Sequence, residues 1–304
     1  MTAPTRGASP ATRAPRPKSS DSGLATGDSG LQSKGGGRIA TTMARLRQSG
    51  SLALVGWQTV GYPQPGVARR LVPALLEGGF DLMELGVPFS DPQADGPTIQ
   101  QASQVALEHG TTMIDCLRLV RDLRQDGVAA PLIFLSYYNT ILAMGPARFA
   151  EQAASAGLDG LIVPDLPPEE ADELQGVLDP AGIDLIFLVA PTTTDERLAT
   201  IASRARGFVY CVSLTGVTGA RRDLAATLPE YLARVRRATD LPLTVGFGIS
   251  RPEHVAALRG HADGAIIASA IIDLMERTPP ERHEAVLREF AASLREAAGP
   301  RASA

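Results

Sequence analysis

The chain has 304 residues, 44% of them hydrophobic, which is enough apolar material to bury a large core as one big domain or two ordinary ones. Its formal net charge of -4, with no clustered run of Lys or Arg, argues against a nucleic-acid partner, whose phosphates require a basic face. No run of about 20 consecutive apolar residues occurs, so no membrane span is expected.

Residues 1–38 are rich in Ser, Thr, Ala, Pro and Gly and offer almost nothing to bury, so a disordered tail is expected there. Its first twenty residues carry Arg6, Arg13, Arg16 and Lys18 and no acid, the charge pattern of an organelle transit peptide. Prolines at 4, 10, 15 and 17 oppose the amphipathic helix such a segment needs, which favours a dispensable tail or a translation start near Met43.

From residue 39 short apolar runs alternate with helix-period segments, separated by Gly, Pro and Asp. "IATTMARLRQSG" reads as an extra helix that covers the bottom of the fold. Strands are then expected at 52–57, 80–85, 132–137, 160–164, 184–189, 208–213, 243–247 and 264–268, and helices at 66–78, 146–156, 168–178, 195–205, 252–259 and 281–297. Near-continuous apolar strands fit a parallel sheet covered by helices. Eight strand–helix units over about 260 residues fit a (β/α)8 TIM barrel spanning 39–298, with a short C-terminal tail at 299–304. A doubly wound open sheet is the alternative; the absence of a Gly-rich dinucleotide-type first turn favours closure.

In a barrel the reacting groups gather at the C-terminal ends of the strands. "LMELGVPFSDPQADGPTIQ" (82–100) places Glu84 inside an apolar strand, on the same face as Leu82, and follows it with Asp91 and Asp95 in a loop. A carboxyl group at the mouth of an apolar barrel is partly desolvated, which lets it exchange a proton near neutral pH. Glu84 is therefore a candidate acid/base, against the alternative of a structural ion pair. Asp95 in "ADGP" is either a site carboxylate or the cap of a helix starting near Pro97. Late glycine-bearing loops, "TGVTGA", "VGFGIS" and "IASAI", offer backbone N–H groups for a phosphate through Gly219, Gly246 and Gly248, with Ser269 as cap and ligand on a helix N-terminus. Cys116 and Cys211 show neither metal-ligand nor disulfide spacing and read as reduced thiols of a cytoplasmic protein. The histidines at 109, 254, 261 and 283 stand singly among polar residues, so no metal is expected.

"ELGVPFSDPQADGPTIQ" resembles the signature segment of the tryptophan synthase alpha subunit family, and the similarity runs collinearly from about residue 43 to 295 through "TVGYP", "PDLPPEE" and "SLTGVTGA". The resemblance implies a (β/α)8 barrel that splits indole-3-glycerol phosphate into indole and glyceraldehyde 3-phosphate. It implies Glu84 as the catalytic acid/base, Asp95 as the carboxylate on the indole N–H, and Tyr210, Trp57 and Tyr137 as substrate-binding residues. Ala268 stands where the family has a phosphate-binding glycine, Gly56 and Trp57 where Pro and a smaller aromatic are usual, and Gln93 where a leucine is usual. The implied partner is a beta subunit carrying pyridoxal phosphate, in an alpha2-beta2 heterotetramer, met by Asp91, Pro92 and Gln93. No cofactor is expected in this chain, whose only lysines, Lys18 and Lys34, lie in the tail. A stand-alone lyase releasing free indole, or a barrel without turnover that acts as an activating subunit, are the alternatives.

Overall fold

The computed structural model describes residues 37–213, 220–246 and 248–300, with the backbone alone over 220–227. Residues 1–36 of the tail expected over 1–38, residues 214–219 with Gly219, Phe247, and residues 301–304 lie outside them. The first helix, α1 (Arg38–Gln48), spaces Ile39, Met43 and Leu46 on one face and buries all three. Ile39 is fully buried, worth roughly 1.5–3 kcal/mol. Its side chain packs against Gly160 and Gly207, where an added Cβ would lie 2.8 and 3.3 Å from it. The helix thus closes the barrel floor, as its apolar spacing predicts.

Among the described residues nine strand segments follow, all paired in parallel: β1 (Ala53–Thr59), β2 (Leu82–Gly86), β3 (Leu132–Leu135), β4 (Gly160–Ile162), β5 (Asp184–Ile186), β6 (Leu188–Val189), β7 (Val209–Val212), β8 (Leu243–Gly246) and β9 (Gly264–Ile267). The order across the sheet is β5-β4-β3-β2-β1-β9-β8-β7-β6. Its two ends, β5 and β6, are separated in the chain by Phe187 alone. They are two pieces of the expected fifth strand, one pairing with β4 and the other with β7, so the circuit closes as a (β/α)8 barrel. The expected single strand over 184–189 is interrupted because its halves serve different neighbours.

The helices after α1 are α2 (Ala68–Gly78), α3 (Pro97–Glu108), α4 (Met113–Gln125), α5 (Tyr138–Met144), α6 (Pro146–Ala156), α7 (Asp172–Ala181), α8 (Asp195–Arg204), α9 (Ala220–Ala238), α10 (Pro252–Ala256), α11 (Ser269–Glu276) and α12 (His283–Ala298). Local chemistry sets their ends. Thr112 and Asp115 form a reciprocal capping box on α4, and Thr194 caps α8. Gly157 ends α6 at φ 89°, a left-handed conformation that favours glycine. The helix expected over 168–178 opens as a 3-10 turn at Pro168–Glu170 and continues as α7, and the one expected over 252–259 is cut to α10.

Three aspartates hold the floor in one repeated arrangement. Asp81, Asp159 and Asp263 each immediately precede a strand, β2, β4 and β9. Their Oδ2 atoms accept the N–H of Leu54 at 2.9 Å, Leu132 at 2.8 Å and Leu243 at 2.8 Å on the preceding strand. Each aspartate's own N–H donates back to the carbonyl of that same leucine at 2.8, 2.9 and 2.8 Å. Arginines meet the remaining charge: Arg295 on Asp81 at 2.7 Å, Arg38 (2.8 Å) and Arg124 on Asp159, and Arg47 (3.1 Å) and Arg236 on Asp263. Each carboxylate thus has a backbone donor and at least one arginine counter-charge. These three are hooks that join neighbouring strands.

Candidate active site

At the opposite end the strands open into a cavity of ≈ 430 Å³ lined by Trp57, Glu84, Leu135, Pro164, Leu188, Tyr210, Ile266 and Ala268 from the strands and the residues just beyond them. The loop and helix start at 94–99 and residues Gly248, Ile249 and Ser269 complete it. Alternation puts these strand residues on the inner face, with Leu82 beneath Glu84 and Ile133 beneath Leu135 as the apolar layer below.

Glu84 sits between Trp57 on β1 and Ile133 on β3 in the register, and neither carboxylate oxygen has a hydrogen-bond partner. Burial raises its pKa to about 8, and the Asp95 charge pushes in the same direction. Asp95 is half-buried and is raised to about 6 by burial, opposed by a hydrogen bond from Tyr137. At pH 7 the site therefore pairs a protonated Glu84 with a mostly ionised Asp95, two carboxyl groups in different states on one cavity. Asp95 does not cap α3. Gly96 is the N-cap residue and Pro97 occupies the first turn, leaving the Asp95 side chain for the cavity.

Tyr210 lines the cavity, and its hydroxyl is raised well above its ordinary value by burial and by the charges of Glu84 and Asp95. Its ring lies across Gly246, where a Cβ would stand 2.3 Å from the Tyr210 Oη. Gly246, expected in the phosphate cup, instead admits this ring and does not reach the wall. Trp57 is fixed by its Nε1, which donates to Thr59 Oγ1 at 3.0 Å, and by Gly86, where a Cβ would lie 2.3 Å from the indole. Tyr137, expected to bind substrate, is buried with its ring stacked on Phe89, centroids 5.0 Å apart, and its hydroxyl accepts the N–H of Ala94 at 2.9 Å.

Gly248, Ala268 and Ser269 meet on one side of the cavity. Gly248 has φ 79°, which a side chain would disfavour. Ala268 is the N-cap residue of α11 and presents its methyl to the cavity wall. Ser269 is the first residue of α11 and makes no side-chain cap, contrary to the capping expectation. Gly219 lies outside the described residues. Asp91 and Gln93 are exposed and Pro92 half-exposed on the 88–96 loop, with Asp91 accepting a hydrogen bond from the Ser90 hydroxyl at 2.7 Å. Leu135, Pro164, Leu188 and Ile266 line the cavity without having been singled out by sequence. For Leu135 and Ile266 the signal is available, since each lies two residues before an expected site residue, Tyr137 and Ala268. Among the described residues no group of three or more His, Cys, Asp or Glu side chains is gathered to hold a metal, and no helix is long and apolar enough to cross a membrane.

A closed parallel barrel whose C-terminal mouth holds two carboxyl groups of unequal acidity beside a helix N-terminus defines an acid/base enzyme of the (β/α)8 class. The family model described as tryptophan synthase alpha chain matches residues 43–299. The tryptophan synthase alpha chain of Roseiflexus castenholzii is 54% identical over 258 residues, covering 85% of this chain and 99% of that one, and that of Geobacter sulfurreducens is 46% identical over 262 residues, covering 86% and 99%. The crystal structure of tryptophan synthase subunit alpha from Legionella pneumophila superimposes with a TM-score of 0.77 at 37% identity, covering 86% of this chain and 98% of that one. This chain belongs to the tryptophan synthase alpha chain family. Alpha chains are lyases of tryptophan biosynthesis that need no cofactor of their own and work with a beta-subunit partner.

Proposed function

We propose that this chain cleaves indole-3-glycerol phosphate to indole and glyceraldehyde 3-phosphate, with Glu84 as the acid/base and Asp95 as the counter-charge to the ring nitrogen. The observation that carries this reading is Glu84 itself, a carboxyl group on the cavity with no partner for either oxygen and a pKa raised to about 8. A structural carboxylate is hooked and charge-paired; this one is held ready to give up a proton.

The chemistry follows from the two states. Protonated Glu84 donates to the indole ring carbon that bears the side chain, leaving a cationic ring whose N–H faces ionised Asp95. The bond from that carbon to the hydroxyl-bearing side-chain carbon then breaks, and its electron pair restores the neutral indole. The hydroxyl proton passes to the Glu84 carboxylate as the aldehyde forms, which returns Glu84 to its starting state. Trp57, Leu135 and Tyr210 supply apolar walls for the ring. Gly248, Ala268 and Ser269 offer the side of the cavity that suits the phosphate, where the α11 N-terminus favours an anion.

The partner in this reading is a beta subunit that carries pyridoxal phosphate and receives the indole, in an alpha2-beta2 heterotetramer. The exposed loop with Asp91, Pro92 and Gln93 joins Glu84 to Asp95, so a partner docking on it orders both ends of the site. The test supplies indole-3-glycerol phosphate to the chain alone and with a beta subunit, following indole, glyceraldehyde 3-phosphate and tryptophan. Slow cleavage alone and tenfold or greater acceleration with the partner, about 1.4 kcal/mol of barrier, is expected. Rapid cleavage that no beta subunit changes would make the chain a stand-alone lyase.

A further inference from the structure

Glu84 has no hydrogen-bond partner although an indole N–H stands on the strand beside it. Its neighbours in the strand register are Trp57 on β1 and Ile133 on β3, and of these two side chains only Trp57 carries a donor. That donor is committed elsewhere. Trp57 Nε1 donates to Thr59 Oγ1 at 3.0 Å, on the same strand and the same face, one step nearer the mouth. Thr59 is fully buried and is the register partner of Gly86. The indole leans the same way: a Cβ on Gly86 would lie 2.3 Å from its Cζ2 and 3.1 Å from its Cε2, so the ring fills the space this glycine leaves open. A half-turn about χ2 is the other orientation open to a tryptophan ring, and it turns the N–H edge away from Thr59 toward the step on which Glu84 stands.

We propose that Thr59 is a positioning residue for the acid: by accepting the Trp57 N–H it holds the indole in the orientation that gives Glu84 no donor, and so leaves this carboxyl group the proton it delivers. The proposal rests on the reading of Glu84 as the acid/base of indole-3-glycerol phosphate cleavage. A buried indole N–H released from Thr59 lacks an acceptor, and the Glu84 carboxylate beside it has both oxygens open. An N–H bonded there would favour the charged form and work against the burial that raises Glu84. The titratable groups facing Glu84 are Asp95 on the loop after β2 and Tyr210 on β7, neither of them a cation, and Trp57 and Ile133 on the flanking strands do not titrate.

Thr59→Val keeps the branched shape and removes the acceptor. Carbon-13 titration of the Glu84 carboxyl, assigned with Glu84→Gln, should then show a midpoint lowered by about one pH unit, the size of one hydrogen bond to a charged group. Thr59→Ser retains the oxygen and should keep the wild-type midpoint. A midpoint unmoved by Thr59→Val, or lowered as far by Thr59→Ser, overturns the proposal. In a Trp57→Phe background no N–H is left to release, so Thr59→Val should have no effect; the same drop there would place its cause outside the indole and overturn the proposal. The wild-type chain supplies a test that depends on no variant folding. Its one tryptophan gives one indole N–H signal in nitrogen-15 spectra, which should hold its position while Glu84 ionises. Passage of that N–H to the carboxylate at the Glu84 midpoint overturns the proposal. In turnover the basic limb of the kcat profile, set by loss of the Glu84 proton, should move down by the same unit in Thr59→Val. Loss by one constant factor at every pH, with the limb unmoved, would reduce Thr59 to a structural residue. A lowered midpoint in a chain that cleaves no indole-3-glycerol phosphate upholds the positioning role and overturns the functional reading alone.

Discussion

At the floor of the barrel Asp81, Asp159 and Asp263 each receive a backbone N–H and at least one arginine, whereas at the mouth Glu84 receives nothing. Both ends bury carboxyl groups in the same apolar barrel. The difference teaches that the surroundings of a buried acid, more than its burial, decide whether it stabilises the fold or carries out chemistry. A hooked carboxylate joins two strands. An unpartnered one is driven toward its neutral form and becomes a proton donor.

The comparison is tested most severely by exchanging the function of one end. Glu84→Gln should lower turnover by three orders of magnitude or more, at least about 4 kcal/mol of barrier, because an amide cannot shuttle a proton. Its folded stability at pH 7 should be no lower than wild type in urea denaturation. Asp81→Ala should do the reverse, removing the Leu54 hook and leaving Arg295, only 10% exposed, without its counter-charge. A loss of roughly 3 kcal/mol of stability is expected, with kcat within about twofold of wild type. If the floor mutant lost turnover and the mouth mutant lost stability, the division between the two ends would fail.

A pH series sharpens the same contrast. The folded pKa of Glu84 is raised to about 8, above its unfolded value. Between the two values the folded state holds a proton that the unfolded state has released, so this group's contribution to stability declines as pH rises from about 4.5 to 8. The amide introduced by Glu84→Gln has no such proton. The stability of that variant relative to wild type should therefore increase with pH, by about 2.5 kcal/mol between pH 5 and 7. A constant difference would mean that Glu84 is not held neutral by burial. The smallest effect belongs to Arg38, which is half-exposed while Asp159 keeps Arg124 and the Leu132 N–H. Arg38→Ala should cost under about 1 kcal/mol in the same denaturation experiment.

Much of this is legible in the sequence because it depends on local pattern. Apolar runs between Gly, Pro and Asp mark the strands to within a few residues, and the i, i+4, i+7 spacing of Ile39, Met43 and Leu46 marks the floor helix. The parity of Leu82 and Glu84 puts the carboxyl group on the inner face. The break at Phe187 is not legible, since it arises from which neighbours each half of the strand pairs with. The contacts of Tyr137 and Gly246, both named from sequence as site residues, escape a sequence reading for a related reason. Tyr137 reaches a loop 43 positions away, and Gly246 makes room for a ring on another strand. The floor hooks do leave a trace, an aspartate immediately before each of three strands, but its meaning requires the leucine and arginine partners brought together by folding.

The hooks divide the barrel unevenly. They lock β1 to β2, β3 to β4 and β8 to β9, and the position before β7 that would complete the series is Phe208, which has no carboxylate. Three of the eight strand junctions are thus bolted, and the quarter of the circuit whose strands carry no bolt, from β5 to β7, holds the break at Phe187 and is joined by main-chain hydrogen bonds. Solvent exchange of backbone amides is expected to enter the molecule through that quarter first. The same quarter brings Tyr210 to the cavity. The segment of the barrel that opens most easily to solvent is therefore also one that frames the reacting groups, and an engineer seeking to cut the chain into two fragments that reassemble would place the break there, where no bolt has to be severed.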